Sequence, residues 1–296
     1  MLGLLGFLMI WGGVEQPDGR MKDILKLLEF APNKSGMLLD IGVGKGQISS
    51  YFLNNPLIKH IEGIGLEVDS YGLPSDLFKK NFHLTECSVE KMPFDDESFD
   101  IAVASHIFEH VSNMGLALKE TRRVLKEDGW LYIFIPKYES MVLAGHINTG
   151  WNIGQLMYVL LIHGFDVKNG KFIEYGYSLC AYVQKKEFEI PALRGDRGDI
   201  VLIERSHLLP CKIGDHGYAD GLQDGFFGEI AAINWDNANK LLKEKFDEDI
   251  RHFNFAKKAS LLLARFMFAI LGRDHTRGFA QLLNKLANHI VNPSEL

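Results

Sequence analysis

The sequence has few cysteines and no excess of positive charge. Its three cysteines, Cys87, Cys180 and Cys211, are widely spaced and form no C-x-x-C pair. Neither a disulfide framework nor a cysteine zinc site is therefore indicated, and we expect the protein to be cytoplasmic. Its 32 basic residues are outnumbered by 38 acidic ones, for a net charge of −6. Because such a chain has no overall field that attracts a polyanion, nucleic acid is not an expected partner.

The sequence also lacks a long apolar run free of charge. Residues 2–14 are about as long as a signal-peptide core, but no Lys or Arg precedes them and no small-residue cleavage pattern follows, so we expect no export. Residues 253–271 are interrupted by Lys257, Lys258 and Arg265. A membrane span would bury these charges, whereas an amphipathic helix keeps them on one face. We expect a packed or surface-lying helix, with peripheral contact to the inner face of a membrane as an alternative.

The first two thirds of the chain alternate between strand-like and helix-like patterns. Short apolar runs typical of strands occur at 37–41, 61–66, 82–84, 99–104 and 130–135. Helical spacing is found at 20–30, 48–53 and 114–125. This alternation predicts an α/β fold with a parallel sheet and helices on both faces.

The pattern changes after Pro136. A helix is predicted at 153–162, and strands at 165–175 and 178–184 form an antiparallel pair that closes the sheet edge. Beyond residue 186 the chain is rich in Gly and Pro, and helical spacing returns at 235–246 and 255–271. We therefore expect an apolar segment over residues 1–19, one domain over 20–186, and a loop-rich, then helical, C-terminal appendage over 187–296.

A glycine-rich turn follows the first predicted strand, in the run Asp40-Ile-Gly42-Val-Gly44-Lys-Gly46. Glycines let the backbone adopt positive φ and approach a ligand closely. The spacing is G-x-G-x-G rather than the G-x-G-x-x-G of dinucleotide sites, and no P-loop Lys-Ser/Thr follows. A ligand without phosphates is favoured, and a tight turn without any ligand is the alternative.

Glu67 stands at the end of the second predicted strand. A carboxylate there can accept hydrogen bonds from both ribose hydroxyls of a nucleoside. The alternative is an exposed acid at a strand end without a function. That alternative does not explain why the acid stands at the end of the second strand, where a ribose-binding carboxylate is expected.

With the third run, Ser88-Val-Glu-Lys-Met-Pro-Phe followed by Ala104-Ser105-His106-Ile-Phe-Glu109-His110, the sequence resembles the class I S-adenosylmethionine-dependent methyltransferases of the UbiE/UbiG type (methyltransferase type 11). The resemblance covers about residues 20–186. It implies a Rossmann-like, seven-stranded methyltransferase sheet and S-adenosyl-L-methionine as the cofactor.

The resemblance also implies the cofactor-binding residues. The glycine turn surrounds the methionine part, Glu67 binds the ribose, Ser88 and Val89 flank the adenine, and Ser105 and His106 lie beside the methionine and the methyl group. The turn residues in question are Asp40, Gly42, Gly44 and Gly46. The family usually has an acidic residue where this chain has Ser88, which implies weaker cofactor binding. The Asn/Asp-Pro-Pro-aromatic motif of nucleic-acid amino-methylating enzymes does not occur at residues 104–107.

Three histidines are candidates for a general base, because a hydroxyl acceptor benefits from a group that takes its proton. His106 follows the fourth strand, and His146 lies in the loop after the fifth, at the edge where α/β folds bind ligands. A solvated loop histidine is an equal alternative for His146. For His110, local packing and capping beside Glu109 is favoured over catalysis.

The sequence predicts no metal site, because the acidic tail residues around Asp215 and Asp220 lack the spacing of a calcium-binding loop. The expected function is methyl transfer to a small molecule or saccharide, at oxygen, with the appendage helping to cover the acceptor. Two alternatives remain: a cofactor-binding scaffold without activity, and a membrane-surface enzyme acting on a lipid-linked acceptor.

Overall fold

A computed structural model describes residues 18–67, 72–137, 145–195, 198–210 and 231–252. The apolar segment at 2–14, the helix predicted at 255–271 and the acidic residues near Asp215 lie outside these ranges. The chain divides into two compact units, Met1–Asp236 and Asn237–Leu296. Among the described residues, no helix combines the length and apolar character needed to cross a membrane.

An eight-stranded sheet forms the centre of the first unit. Its strands are β1 (Gly36–Ile41), β2 (Ile58–Gly65), β3 (Phe82–Glu86), β4 (Phe99–Ser105), β5 (Leu125–Pro136), β6 (Phe165–Tyr175), β7 (Ser178–Lys185) and β8 (Ala232–Ile233). They lie in the order β3-β2-β1-β4-β5-β7-β6-β8. The first five strands are parallel, while β7, β6 and β8 each run antiparallel to the strand before them in this order. The predicted α/β fold with a mostly parallel sheet is confirmed.

The first unit contains helices α1 (Gly19–Leu28), α2 (Gln47–Phe52), α3 (Met114–Val124), α4 (Ile153–Ile162) and α5 (Gly198–Arg205), and the second unit contains α6 (Ala238–His252). Short polar side chains begin three of them. Asp18, Asn113 and Asn152 each accept a hydrogen bond from a backbone N–H in the first turn, of α1, α3 and α4 respectively. Two single 3-10 turns occupy Leu77–Lys79 and Phe108–His110.

The core lies on both faces of the central strands. Ala102 and Val103 of β4 are fully buried, as are Ile133 and Phe134 of β5. Consecutive residues of a strand point to opposite faces, so burial of neighbours requires packing on both sides. This explains why the central strands are continuous apolar runs in the sequence.

The strand order reverses between β1 and β4. From β1 the chain moves outward through β2 and β3, then returns to β4 on the other side of β1. The turns that follow β1 and β4 therefore diverge at the carboxyl edge of the sheet. In open α/β sheets this switch point is where ligands bind.

Two features extend beyond residue 186. Strand β8 pairs with β6 through Phe172–Ile233 and Ile173–Ala232, so the sheet has one strand more than the seven that the resemblance implies. The pair β6 and β7 is antiparallel as expected, but β8 lies outside β6 at the edge that this pair was predicted to close. The domain boundary at 186/187 stays a prediction, and the helix predicted at 235–246 is present as α6.

Candidate functional site

The glycine turn after β1 has left-handed backbone at all three glycines, with φ of 76° at Gly42, 48° at Gly44 and 73° at Gly46. A side-chain carbon at Gly42 would lie 2.9 Å from Ile107 Cδ1, and one at Gly46 would lie 2.6 Å from Leu77 Cδ1. These two glycines allow close packing within the protein. At Gly44 the nearest atom to such a carbon is the Gly42 carbonyl oxygen, at 3.8 Å. Gly44 therefore leaves open space beside its backbone, here called the cradle. A side chain at this position would take up part of that space.

Asp40, the penultimate residue of β1, is 1% exposed. Its Oδ2 accepts a hydrogen bond from Ser49 Oγ of α2 at 2.6 Å, which ties the strand to the helix across the glycine turn. Burial raises the pKa of Asp40 to about 6, against the opposing effect of its hydrogen bonds with Ser49. The structure therefore gives Asp40 a role in holding the turn. Its contact with the cofactor stays a prediction.

Glu67 lies just past β2 and is exposed, with φ of 51°. The register pairs Ile41 of β1 with Ile64 of β2, so the two strands end at the same level of the sheet. Glu67 and the glycine turn accordingly share the carboxyl edge, as the sequence predicted from their positions after neighbouring strands.

The turn after β3 begins at Ser88. The Ser88 carbonyl accepts from the Lys91 amide at 3.0 Å, and Ser88 Oγ accepts from the Glu90 amide at 3.2 Å. Val89 is buried in the core beside this turn. The three expected contact regions for methionine, ribose and adenine thus follow β1, β2 and β3, which are neighbours in the sheet.

Arg123 of α3 fixes the segment between this turn and β4. Its guanidinium donates to the carbonyls of Met92 at 3.1 Å and Phe94 at 2.7 Å, and pairs with Glu120 and Asp96 at 2.9 and 2.8 Å. The bonds to Glu120, and then to Asp96, raise the pKa of Arg123. Sequence analysis missed this residue, because a Glu and an Arg three positions apart on a helix are common surface neighbours.

His106 lies directly after β4 with φ of 54°. Its Nε2 is 2.9 Å from Ser178 Oγ of β7, and its Nδ1 is 3.1 Å from Glu109 Oε1. The ring stacks on Tyr177, with centroids 5.7 Å apart and planes 18° apart. Both ring nitrogens therefore have protein partners, and Ser105 precedes the ring as the half-buried last residue of β4.

The other two candidate histidines lie together. The rings of His110 and His146 meet edge to face with centroids 4.8 Å apart. Between them and His106 stands Glu109, which is 1% exposed. Sequence analysis regarded Glu109 only as a local neighbour of His110, but the structure makes it the centre of a cluster that includes all three candidate histidines.

Asn148 holds the His146 loop against the turn that bears Glu109. Its side-chain amide donates to the carbonyls of Phe108 at 3.0 Å and Val111 at 2.7 Å. The backbone amides of Ile147 and Asn148 both donate to the Glu109 carbonyl, at 2.7 and 3.0 Å. Sequence analysis missed this contact, because nothing in the spacing of residues 40 positions apart indicates it.

The residues present fit S-adenosylmethionine. The open backbone at Gly44 can receive the amino-acid part without a side chain in the way, and Glu67 offers oxygens to a ribose at the adjacent strand end. The three turns lie along one edge at neighbouring strands, which suits an extended ligand composed of an amino acid, a sugar and a base. Nothing in the glycine spacing calls for a phosphate.

Comparison with known proteins agrees with this geometry. Residues 39–133 match the methyltransferase domain family. The chain is 29% identical over 117 residues to an uncharacterized methyltransferase, YcgJ, of Bacillus subtilis, covering 38% of this chain and 45% of the relative. It is 31% identical over 105 residues to a demethylmenaquinone methyltransferase of Chlorobaculum tepidum, covering 33% of this chain and 40% of the relative. The crystal structure of YcgJ covers 57% of this chain and 99% of its own, at 17% identity and a TM-score of 0.45.

The matched segment is a methyltransferase domain of the class I, S-adenosylmethionine-dependent family. S-adenosylmethionine is the cofactor that belongs to this domain. The chain spans less than half the length of the two curated relatives described above.

Proposed function

We propose that this protein transfers a methyl group from S-adenosylmethionine to a hydroxyl oxygen of a small molecule or saccharide. The observation that carries the proposal is the cradle at Gly44, at the switch point between β1 and β4 and next to the strand end that bears Glu67. Its backbone is open on the side where a close-fitting ligand would lie, while the flanking glycines pack against protein.

When bound, S-adenosylmethionine supplies a methyl group activated by its attachment to a sulfonium. The chain's own contribution is to align the acceptor with that methyl group and to take the acceptor's proton. His106 is the proposed proton acceptor, through Nε2. Its Nδ1 lies against the Glu109 carboxylate, which orients the ring as the carboxylate of a catalytic triad orients its histidine.

His146 is the second candidate. It lies in the loop after β5, and its Nδ1 is buried with no hydrogen-bond partner among the described residues. It differs from His106 in one respect. An acceptor hydroxyl at His106 Nε2 would have to displace the contact with Ser178, whereas His146 Nδ1 has no such hydrogen bond to displace. Replacing each histidine by Gln, and measuring methyl transfer to a common acceptor, separates the two roles.

We propose oxygen as the methylated atom because these histidines could take the proton of a hydroxyl acceptor. Another relative, 25% identical over 135 residues, is a ubiquinone/menaquinone biosynthesis C-methyltransferase of Agrobacterium fabrum, covering 43% of this chain and 52% of the relative. Carbon is therefore the competing outcome for the acceptor atom. A lipid-linked acceptor at a membrane surface is supported by the sequence of residues 253–271, which lie outside the described residues.

The first experiment is calorimetric titration of S-adenosylmethionine into the full chain. The test variant is Gly44→Asn, because Asn tolerates left-handed backbone better than other side chains and so adds mainly volume to the cradle. The matched control is Gly195→Asn, at φ of 77° with no atom within 4 Å of an added carbon. We expect binding by the wild type and the control, and loss of at least about tenfold in affinity for Gly44→Asn. Absence of binding by the wild type would contradict the proposal.

The second experiment screens acceptors with methyl-labelled S-adenosylmethionine and fractionated small-molecule and saccharide extracts. Transfer of label to a hydroxyl supports the proposal, and mass spectrometry of the product separates oxygen from carbon. Cofactor binding with no transfer to any extract component would favour a non-catalytic scaffold, an alternative motivated by Ser88 in the place of the usual acid.

A further inference from the structure

We propose that Glu109, His110 and His146 form a binding site for one divalent transition-metal ion. One ligand atom from each residue lies within 4.8 Å of those of the other two. Sequence analysis weighed a metal site only among the acidic tail residues around Asp215 and Asp220. It did not consider this cluster, because His146 is far along the chain from the adjacent Glu109 and His110 and no spacing rule joins them. The site goes beyond the proposed methyl transfer and does not depend on it, because the first proposed proton acceptor is His106. An ion held by His146 would exclude only the second candidate.

Unpartnered buried atoms are concentrated in this cluster. Glu109 Oε2 and His146 Nδ1 are two of only four buried side-chain nitrogen or oxygen atoms without a hydrogen-bond partner in the part of the chain that the structure describes. Buried polar groups are almost always bonded, and an unmet one costs folding free energy. A cation bound by the carboxylate and the imidazoles would give both of these buried groups a partner.

A hydrogen bond at the cluster leaves the second ring nitrogen of His110 with a lone pair that can bind a metal ion. His110 Nδ1 lies 2.9 Å from the Gly145 carbonyl, which can only accept, so Nδ1 carries the proton when the ring is neutral and Nε2 keeps its lone pair. That Nε2 is 4.0 Å from Glu109 Oε1. A histidine bonded through one nitrogen to a carbonyl, with the other nitrogen bare, is the arrangement that metal-binding histidines typically have.

The two segments that supply the ligands are held together by the protein. The Glu109 carbonyl accepts from the backbone amides of Ile147 and Asn148, and the Asn148 side chain bonds both ends of the turn. The His106 imidazole contacts the Glu109 carboxylate at Oε1, and the other oxygen, Oε2, has no hydrogen-bond partner among the described residues. The backbone of both segments is therefore held in place while the three side chains close on a cation.

Two imidazoles and one carboxylate suit zinc, cobalt, manganese or ferrous ions, whereas calcium and magnesium prefer oxygen ligands alone. The His110 side chain is 44% exposed, so one side of the site opens to solvent. Positions on the ion would remain for water or an acceptor oxygen. A hydroxyl bound there would lose its proton more readily, since a bound cation favours the anion.

The test uses the full chain, freed of metal with a chelator and studied without S-adenosylmethionine. Co²⁺ titration followed by visible absorption should show one site per chain, and equimolar Zn²⁺ should displace the Co²⁺. Zn²⁺ calorimetry should give an affinity weakened about 100-fold or more in His146→Ala, because removing a ligand costs at least as much as removing a supporting contact. His207→Asn is the control: His207 is exposed, outside the cluster, and has φ of 56°, which Asn tolerates.

His110→Ala is the second test variant, because the exposed ring of His110 can be removed with little effect on packing. Circular dichroism checks the fold of every variant, and His110→Ala decides the question if His146→Ala fails to fold. Absence of one-to-one binding by the wild type, or an unchanged Zn²⁺ affinity in a folded His110→Ala or His146→Ala protein, overturns the proposal. Since cofactor is absent throughout, failure here leaves the methyl-transfer proposal intact.

Discussion

The Nε2 atom of His106 lies 2.9 Å from the hydroxyl oxygen of Ser178. This contact joins the turn after β4 to the first residue of β7, across the carboxyl end of β5. Together with the 3.1 Å approach of Nδ1 to Glu109 Oε1, it fixes the orientation of the ring.

From this contact we predict that neutral His106 is protonated at Nδ1, because the Glu109 carboxylate can only accept while the Ser178 hydroxyl can donate to Nε2. Imidazole ¹⁵N chemical shifts of the folded protein, assigned by comparison with His106→Gln, should show this tautomer. The Ser178→Ala variant should keep it, because the bond to Glu109 remains. A neutral ring protonated at Nε2 would contradict both the assignment and the proposed role as proton acceptor.

Replacing Glu67 by Ala should weaken S-adenosylmethionine binding by about 10- to 100-fold, the range for hydrogen bonds to a charged group. The reason is loss of the oxygens expected to accept from the ribose hydroxyls. Calorimetry measures the effect, and Glu86→Ala, which removes an exposed acid at the end of neighbouring β3, is the control. A cofactor analogue without the two hydroxyls should bind wild type and Glu67→Ala alike; if it still distinguishes them, the ribose assignment fails.

Introducing an acid at the adenine turn should strengthen cofactor binding. In Ser88→Asp a carboxylate replaces a hydroxyl, and a charge-assisted hydrogen bond is roughly twice as strong as a neutral one. We expect an affinity gain of about 3- to 10-fold for S-adenosylmethionine, with a loss in Ser88→Ala. The aspartate can still accept from the Glu90 amide, so the turn is retained. Equal affinities in all three proteins would remove Ser88 from the cofactor site.

The buried carboxyl of Asp40 should make stability depend on pH. Burial raises its pKa to about 6 from an ordinary value of 3.8, so the folded state holds the proton more tightly than the unfolded chain. The resulting stability, about 3 kcal/mol, is fully present below about pH 4 and is lost as the pH rises through 6. Because Asn does not ionise, the free energy of unfolding of Asp40→Asn, relative to wild type, should increase by up to about 3 kcal/mol between pH 4 and pH 7.

Urea unfolding at both pH values measures this difference. Asp95→Asn, at an exposed position, removes the same charge and serves as the control. A gap between wild type and Asp40→Asn that does not change with pH would mean that Asp40 is not buried in solution as it is in this structure.

The central fold could be predicted because its signals are local. Strands β1, β2 and β4 are short apolar runs, and α4 and β6 have the predicted bounds, since their periodicity changes sharply at Gly164. The start of β5 was placed too late, because its first residues are mostly polar and include Gly129. Strand β8 was missed entirely, since two residues inside a loop-rich stretch have no period to detect.

The site shows the same difference between local features, which could be predicted, and contacts between distant segments, which could not. The cradle at Gly44 was predicted because glycine spacing within one turn is a local signal. The cluster around Glu109 was not, because its members come from the turn after β4, the loop after β5 and the start of β7. Only the folded sheet brings His146 to that carboxylate and Ser178 to His106, and periodicity says nothing about which distant loops meet.

Strand β8 also shortens the exposed edge of the sheet. A bare outer strand offers unpaired amides and carbonyls to which a second copy could add, and β8 covers this row on β6 at Phe172 and Ile173. The covering residues are synthesised only after α5 and the glycine-rich stretch that follows it. We expect a nascent chain that has completed β7 but not yet residue 233 to expose this edge, and an exposed strand edge favours aggregation and chaperone binding.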